Sequence, residues 1–393
     1  MTEPKRIGME VSIAISEAVR QCDADVISAY PITPQTHVVE HLAEIAAQGH
    51  LDCEFIPVES EHSALSACIG SSAVGARTFT ATASQGLALM VEIMYIASAL
   101  RMPIVMAVAN RALSAPINIW CDHSDAMLAR DTGWIQYFVE NGQEAYDMTL
   151  CSFRIAEDNR VMLPITLNFD GFTLSHVVES LVPLTDDQVR EFLPPFAPLY
   201  RLDPKNPVSM GPVGIPEIYT EAKKAHDEAI LASRAVIDEV WADFGKRFGR
   251  HYQAVEHYRT EGAQTLLVGM GGLTESMRGA VDLLRDKGKR VGLIRLRLFR
   301  PFPHEDLRKA LGDAGTVIVF DRCLSTGGPG GPVASEIRSA LYNLPKRPAI
   351  VSFIGALGGR DVRTSQFAEL IERGEAIAAS GSIPDYEMVG VRE

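Results

Sequence analysis

The chain has no two cysteines close enough together to share a metal cluster. Its six cysteines, Cys22, Cys53, Cys68, Cys121, Cys151 and Cys323, are spread so that no two stand closer than 15 positions. That spacing excludes CxxC and the ligand patterns of iron–sulfur and zinc sites, so any redox metal serving this chain is expected on another chain. Positive charge is also in deficit. Against 50 Asp and Glu stand 37 Lys and Arg, a net charge of −13, which argues against nucleic acid or anionic lipid as a partner. No apolar run reaches membrane length unbroken. The most apolar stretch, LALMVEIMYIASALRMPIVMAVAN, is interrupted by Glu92, Arg101 and Pro103, and reads as a buried helix followed by a buried strand. The leading MTEPKRIGMEV shows no apolar signal-peptide core, so a cytoplasmic setting with reduced thiols is expected.

What is present is the patterning of an α/β protein. Its 393 residues are 47% hydrophobic and 22% charged, enough for two or three domains with real cores. Over the first ~175 residues helical patterns alternate with short apolar runs: DVISAY, CEFIPV, ARTFTATA, MPIVMAVAN and MLPITLNF. Near-continuous apolar strands separated by helices predict a doubly wound parallel sheet covered on both faces. Proline-rich LPPFAP, DPKNP and GPVGIP then mark a connector. A long amphipathic helix follows, EIYTEAKKAHDEAILASRAVIDEVWADFGKRF, with Ala222, Ala225, Ala229, Val236, Val240 and Phe244 on one face. From about residue 261 a second α/β unit begins with the strand TLLVGM. The expected division is 1–190, 191–260 and 261–393.

Two glycine-rich loops invite a phosphate reading and do not sustain it. VGMGGLTES would need glycine at Thr274 to complete GxGxxG, and no acidic residue closes the next strand. LSTGGPGGPVASE lacks the GK[ST] ending of a phosphate loop. Tight packing between strand and helix explains both loops better.

Three other segments place chemistry at strand ends. In AYPITPQTHVVE, Pro31 and Pro34 frame Thr33 between an apolar run and a helical pattern. Each proline fixes φ and restricts the residue before it, so Thr33 is held in place. It reads either as a helix N-cap or as a ligand contact at a sheet edge. VESEHSALSACIGSSAVGA sets Glu61 at the start of a small-residue helix, where a carboxylate also complements the helix dipole. MPIVMAVANRALSAP ends a buried strand on Arg111, whose guanidinium matches a carboxylate bidentately and equally suits a structural aspartate.

In order and spacing, AYPITPQT, VESEHSA, TATASQGLALM, ANRAL, CDHSD and NFDGFTLSH resemble the alpha subunit of the 2-oxoacid:acceptor oxidoreductases, the pyruvate:ferredoxin oxidoreductase family. The later LDPKNPVSMGPVG, VGMGGLTESMRGAV, RLRLFRPFP and STGGPGGPV extend the resemblance over nearly the whole chain. The resemblance implies a pyrimidine-type thiamine diphosphate domain followed by a transketolase C-terminal-like domain. It implies that Glu61 hydrogen-bonds the cofactor's aminopyrimidine, that Pro31 and Ile32 contact the cofactor, and that Thr33 and Arg111 hold the substrate's carboxylate and keto group. His123, Asp125 and Asp170 fall in family segments near this cleft, as site support. No GDG…N segment for magnesium and diphosphate is present. In the family a beta subunit supplies that half with a [4Fe–4S] cluster, and gamma- and delta-type subunits carry further clusters. The implied reaction is coenzyme A-dependent oxidative decarboxylation of pyruvate with ferredoxin as acceptor, in a dimer of hetero-oligomers. Phenylglyoxylate-type or branched 2-oxo acids, with NAD reached through a flavoprotein, form the alternative within the class. A scaffold subunit without chemistry is the alternative outside it.

Overall fold

The computed structural model describes residues 5–392; Met1–Pro4 of the leading stretch and Glu393 lie outside the described residues. The chain opens with strand β1 (Ile7–Glu10), α1 (Val11–Gln21), β2 (Val26–Ala29) and α2 (Thr36–Ala47). Then come β3 (Glu54–Pro57), α3 (Glu61–Ala73), β4 (Thr78–Thr82) and α4 (Ser84–Ala99). Next are β5 (Val105–Asn110), α5 (Ser124–Leu128), β6 (Ile135–Phe138), α6 (Gly142–Ala156), β7 (Ile165–Asp170) and β8 (Val178–Leu181). Strands β3, β2, β4, β5, β7 and β6 lie in that order and are all parallel. Strands β4, β5, β7 and β6 are buried at every position because helices cover both faces, and their Thr, Asn, Gln and Asp side chains are enclosed with the apolar ones. The order places a topological switch between β2 and β4: the chain leaves β2 in one direction, to β3, and returns on its other side. Ligands in such sheets bind beyond the carboxyl ends of the strands at this point.

After β8 the chain forms α7 (Asp186–Phe192), then a stretch without regular structure, and α8 (Pro216–Phe248). Proline at its first turn and Gly249 in the left-handed region just after it (φ 73°) end this helix as its sequence demands. Val236, Val240 and Phe244 are buried against the first sheet's core. Ala229 is half-buried, but Ala222 and Ala225 are exposed, which corrects the expected apolar face. The helix runs on beyond the sheet it packs against, and alanine spacing alone cannot mark where support ends.

The second unit contains β9 (Val255–Tyr258), β10 (Thr265–Gly269), α9 (Leu273–Asp286), β11 (Val291–Leu296) and β12 (Leu298–Arg300). It continues through α10 (His304–Leu311), β13 (Thr316–Asp321), α11 (Pro332–Leu341), β14 (Ala349–Ile354), α12 (Thr364–Ser380) and β15 (Glu387–Met388). Its sheet order is β15-β14-β13-β10-β11-β9, parallel except for β9. Strand β12 crosses over and pairs antiparallel with β6 of the first sheet. A buried ion network fastens the same junction. Glu144, at the start of α6, accepts from both Arg295 and Arg297, and Glu140 accepts from Arg278 at 2.7 Å and from Thr274 at 2.8 Å. Burial resists charge on Glu144, yet the two guanidiniums prevail and hold its pKa down at about 2.

Candidate active site

Four strand ends meet at the switch point. The turn after β2 carries Pro31, Ile32 and Thr33; α3 after β3 opens on Glu61; the junction of β4 and α4 carries Ser84, Gln85 and Gly86; and β5 runs into Arg111.

The first of these differs from the sequence expectation. Helix α2 begins at Thr36 with Gln35 at its cap position, and no side chain caps it. Thr33 instead lies in a turn closed by Gln35 N–H donating to Ile32 C=O at 2.9 Å, with a cis bond between Thr33 and Pro34. The N-cap reading of Thr33 is therefore wrong: its side chain is exposed and satisfies no helix donor. Pro31 is exposed as well, while Ile32 is half-buried against the first core.

Arg111 reaches this turn. Its Nη1 donates to the main-chain oxygen of Thr33 at 2.9 Å, its Nε to the oxygen of Asn118 at 2.9 Å, and its Nη2 to Gln85 Oε1 at 3.4 Å. Only 7% of the residue is exposed, and burial lowers its pKa while the Asp125 charge opposes the shift. A guanidinium has five N–H donors, so two remain uncommitted.

Glu61 follows Ser60, whose hydroxyl accepts from Ser63 N–H and caps α3. The residue is only 6% exposed, and its carboxyl takes part in no ion pair among the described residues. It lies directly against Gly86. A Cβ built there would stand 2.5 Å from Glu61 Oε1 and collide with the Thr82 hydroxyl. That hydroxyl is buried and has no hydrogen-bond partner among the described residues. Gly86 thus lets a carboxylate and an unsatisfied hydroxyl pack closely against its backbone, where any side chain would displace both. No hydrogen bond joins Glu61 to Thr33 or Arg111 among the described residues; Gln85, next to Gly86, is the link toward Arg111.

Asp125 organises the same junction. Its Oδ2 accepts from the backbone N–H groups of Ser84 and Arg111, both at 3.0 Å, and its Oδ1 from Asn110 Nδ2 at 3.0 Å and Ala126 N–H at 2.7 Å. Burial pushes its pKa up to about 7, opposed by the Arg111 and Ser84 N–H groups. Ser84 sits in the left-handed region (φ 47°), a conformation the Asp125 contact helps to hold.

His123 and Asp170 form a separate pair, Nε2 to Oδ1 at 3.2 Å. The other Asp170 oxygen accepts from Arg322 and from Gly272 N–H at 3.2 Å. Burial opposes ionisation of Asp170, but Arg322 and then His123 hold it well below the usual carboxylate range. Gly271 (φ 73°) and Gly272 press against this carboxylate, so the first glycine loop serves close packing across the two units. The second does likewise. Asp321 accepts from Val333 and Ala334 N–H at the start of α11, at 2.8 and 3.1 Å, and occupies the place a phosphate would need. Ser84, Gln85, Gly86, Asn118 and Arg322 were not singled out from the sequence. TATASQG, one of the resembling segments, contains the first three; Asn118 and Arg322 had no local signal.

Residues 17–241 match the family described as pyruvate flavodoxin/ferredoxin oxidoreductase, thiamine diphosphate-binding, and residues 263–367 match pyruvate:ferredoxin oxidoreductase core domain II. The pyruvate synthase subunit PorA of Methanocaldococcus jannaschii is 48% identical over 365 residues, 92% of this chain and 93% of that protein. The ketoisovalerate oxidoreductase subunit VorA of Pyrococcus abyssi is 42% identical over 391 residues, 98% of this chain and 97% of that one. Among solved structures, 2-oxoglutarate:ferredoxin oxidoreductase from Magnetococcus marinus, with 2-oxoglutarate, coenzyme A and succinyl-CoA bound, has a TM-score of 0.73 at 20% identity, over 95% of this chain and 66% of that one. A split-gene transketolase, an inactive beta4 tetramer, has a TM-score of 0.54 at 12% identity, over 95% of this chain and all of that one. These two likenesses establish the fold.

Proposed function

This chain belongs to the pyruvate:ferredoxin oxidoreductase family and is an oxidoreductase subunit that acts with partners; on that premise we propose that it supplies the aminopyrimidine half of a thiamine diphosphate site for oxidising pyruvate. The observation that carries this reading is the pair of buried polar groups packed against Gly86. A buried carboxylate with no ion partner among the described residues, beside a Thr82 hydroxyl with no hydrogen-bond partner among them, suits a nitrogen-bearing ring. When bound, the cofactor supplies the nucleophilic carbon and the electron sink that decarboxylating a 2-oxo acid requires.

The chain's own residues position the reactants. Glu61 holds a ring nitrogen of the aminopyrimidine, with Pro31 and Ile32 beside the ring. The two free N–H groups of Arg111 take the substrate carboxylate, and the Thr33 hydroxyl takes the keto oxygen, which fixes the approach geometry before reaction. Asp125 supports Arg111 through its backbone, while His123 and Asp170 brace the neighbouring loops. In this reading residues up to 190 carry the site, 191–260 connect, and 261–393 brace it. A beta subunit holds the diphosphate and Mg²⁺. Iron–sulfur clusters on beta and on gamma- and delta-type subunits lead electrons to ferredoxin, and coenzyme A accepts the acyl group.

The likeness to a ketoisovalerate oxidoreductase subunit favours one second reading, the same chemistry on a branched 2-oxo acid. A viologen-dye assay on the co-purified complex compares pyruvate, 2-oxoisovalerate, 2-oxoglutarate and phenylglyoxylate. Pyruvate is expected to give the highest kcat/KM. A preference for 2-oxoisovalerate replaces it with the second reading, and no turnover of any of the four overturns both.

A further inference from the structure

We propose that Glu10, His37 and His176 form a binding site for a divalent transition-metal cation of the zinc class. One nitrogen from each imidazole and one oxygen of the carboxylate lie within 4.8 Å of one another. Two imidazoles and one carboxylate form a donor set that suits Zn²⁺ and its first-row neighbours. All three residues are half-buried, so an ion can enter from solvent and still be held by the protein.

The three donors stand on a rigid frame. Glu10 ends β1, which pairs antiparallel with β8 in a register that sets Glu10 opposite Val178. The ladder is extended by Val11 N–H donating to Val177 C=O at 3.1 Å, so Glu10 and His176 are fixed relative to each other by backbone. His37 lies in the first turn of α2, and α2 is tied to α1 by Ser16 Oγ donating to Val38 C=O at 3.0 Å. The imidazoles are themselves oriented: His37 Nδ1 is hydrogen-bonded to Glu10 Oε1 at 2.6 Å, a contact that an entering cation replaces. His176 Nδ1 is hydrogen-bonded to Ser175 Oγ at 2.7 Å, which leaves Nε2 as its free donor atom. Its ring packs on Phe172 at 4.7 Å and on His37 at 4.3 Å between centroids. An outer hydrogen bond of this kind selects the tautomer and direction of a metal-binding histidine.

The other close grouping, Cys121, His123 and Asp170, lacks these qualities. It is fully buried, and Asp170 already carries the Arg322 guanidinium, whose charge opposes a cation.

Occupancy would join the end of β1, the start of α2 and the loop after β7. The Thr33 turn leads into that same start of α2, and Gly171, beside Phe172, packs against Pro34. The cation therefore braces the frame of the Thr33 turn and needs no direct part in the reaction.

The test is zinc binding to the full chain, stripped with chelator and followed by equilibrium dialysis against Zn²⁺ alone. One equivalent should bind more tightly than any other, and His176→Ala and Glu10→Gln should each weaken that equivalent by about 100-fold, the upper range for disturbing a metal site. His257→Ala, on an exposed histidine elsewhere, should leave it unchanged. Circular dichroism of each variant separates lost binding from lost fold, and Glu10→Gln preserves side-chain shape. Absence of a tight equivalent in the wild-type chain, or an unchanged one in folded His176→Ala and Glu10→Gln chains, overturns the proposal.

Discussion

The Nη1 of Arg111 donates to the main-chain oxygen of Thr33 at 2.9 Å, and this bond joins the end of β5 to the turn that follows β2. The contact spends a backbone acceptor and leaves the Thr33 hydroxyl exposed and free. Thr33→Val should therefore alter stability by no more than about 0.5 kcal/mol, because neither a cap nor the Arg111 bond is lost. It should raise KM for the 2-oxo acid by up to about 10-fold, the upper end for a neutral hydrogen bond. Chemical denaturation and steady-state kinetics on the complex check the two halves. A stability loss matching the activity loss would count against substrate contact.

Glu61 packs directly against Gly86, and variants of the two should fail differently. Glu61→Gln keeps the shape and removes the charge, so assembly should persist while turnover falls by about 100-fold or more, as for loss of a proton-holding group. Gly86→Ala places a methyl 2.5 Å from Glu61 Oε1. Overpacking of this kind costs about 1–3 kcal/mol, and thiamine diphosphate affinity should drop with it. Thermal melts with and without the cofactor, measured on the complex, separate the two.

Asp125→Asn turns one acceptor oxygen into a donor facing two N–H groups. With each buried unsatisfied group costing about 1–3 kcal/mol, a loss of roughly 2–4 kcal/mol is expected. Because Asp125 holds the Arg111 backbone, KM should rise in the fraction that still folds. Denaturant titration and substrate saturation curves provide the check.

Glu144 sets an acid limit on the junction of the two units. Its folded pKa, about 2, lies below its ordinary value of 4.5. The unfolded chain therefore binds the proton more readily, and stability present above pH 4.5 is lost as pH falls toward 2. A shift of this size corresponds to roughly 3 kcal/mol. Glu144→Gln should destabilise the protein by about 3 kcal/mol near pH 7, since Arg295 and Arg297 lose their shared buried carboxylate and keep only Glu256 and Glu140 as acidic partners. It should also flatten the pH dependence of the melting temperature in that acid window.

Much of the first sheet was legible because strands buried on both faces must be apolar along their whole length, and the helices between them must be amphipathic. DVISAY, CEFIPV and MPIVMAVAN contain β2, β3 and β5. The short strands β1, β6, β8, β9, β12 and β15 carry no local pattern that marks them, since each depends on a partner distant in sequence. The helical pattern of GMEVSIAISEAVRQC runs back to Gly8, yet pairing with Val178–Leu181 makes Ile7–Glu10 a strand. The long helix α8 was placed correctly, while its exposed first half was not, because helical spacing does not report where a supporting surface stops.

The roles at the site divide in the same way. Residue type and local rigidity marked Glu61, Thr33 and Arg111 as strand-end groups, and the family resemblance named the chemistry. Local order could not show that Arg111 reaches the Thr33 turn, that Glu61 packs against Gly86, or that Asp125 holds Ser84 by its backbone. Each of these is a contact between segments tens of residues apart. Periodicity and propensity act over one helix turn or one strand, so the chain alone determined its elements and its α/β class. Which oxygen meets which nitrogen was decided only when the switch between β2 and β4 brought four strand ends together.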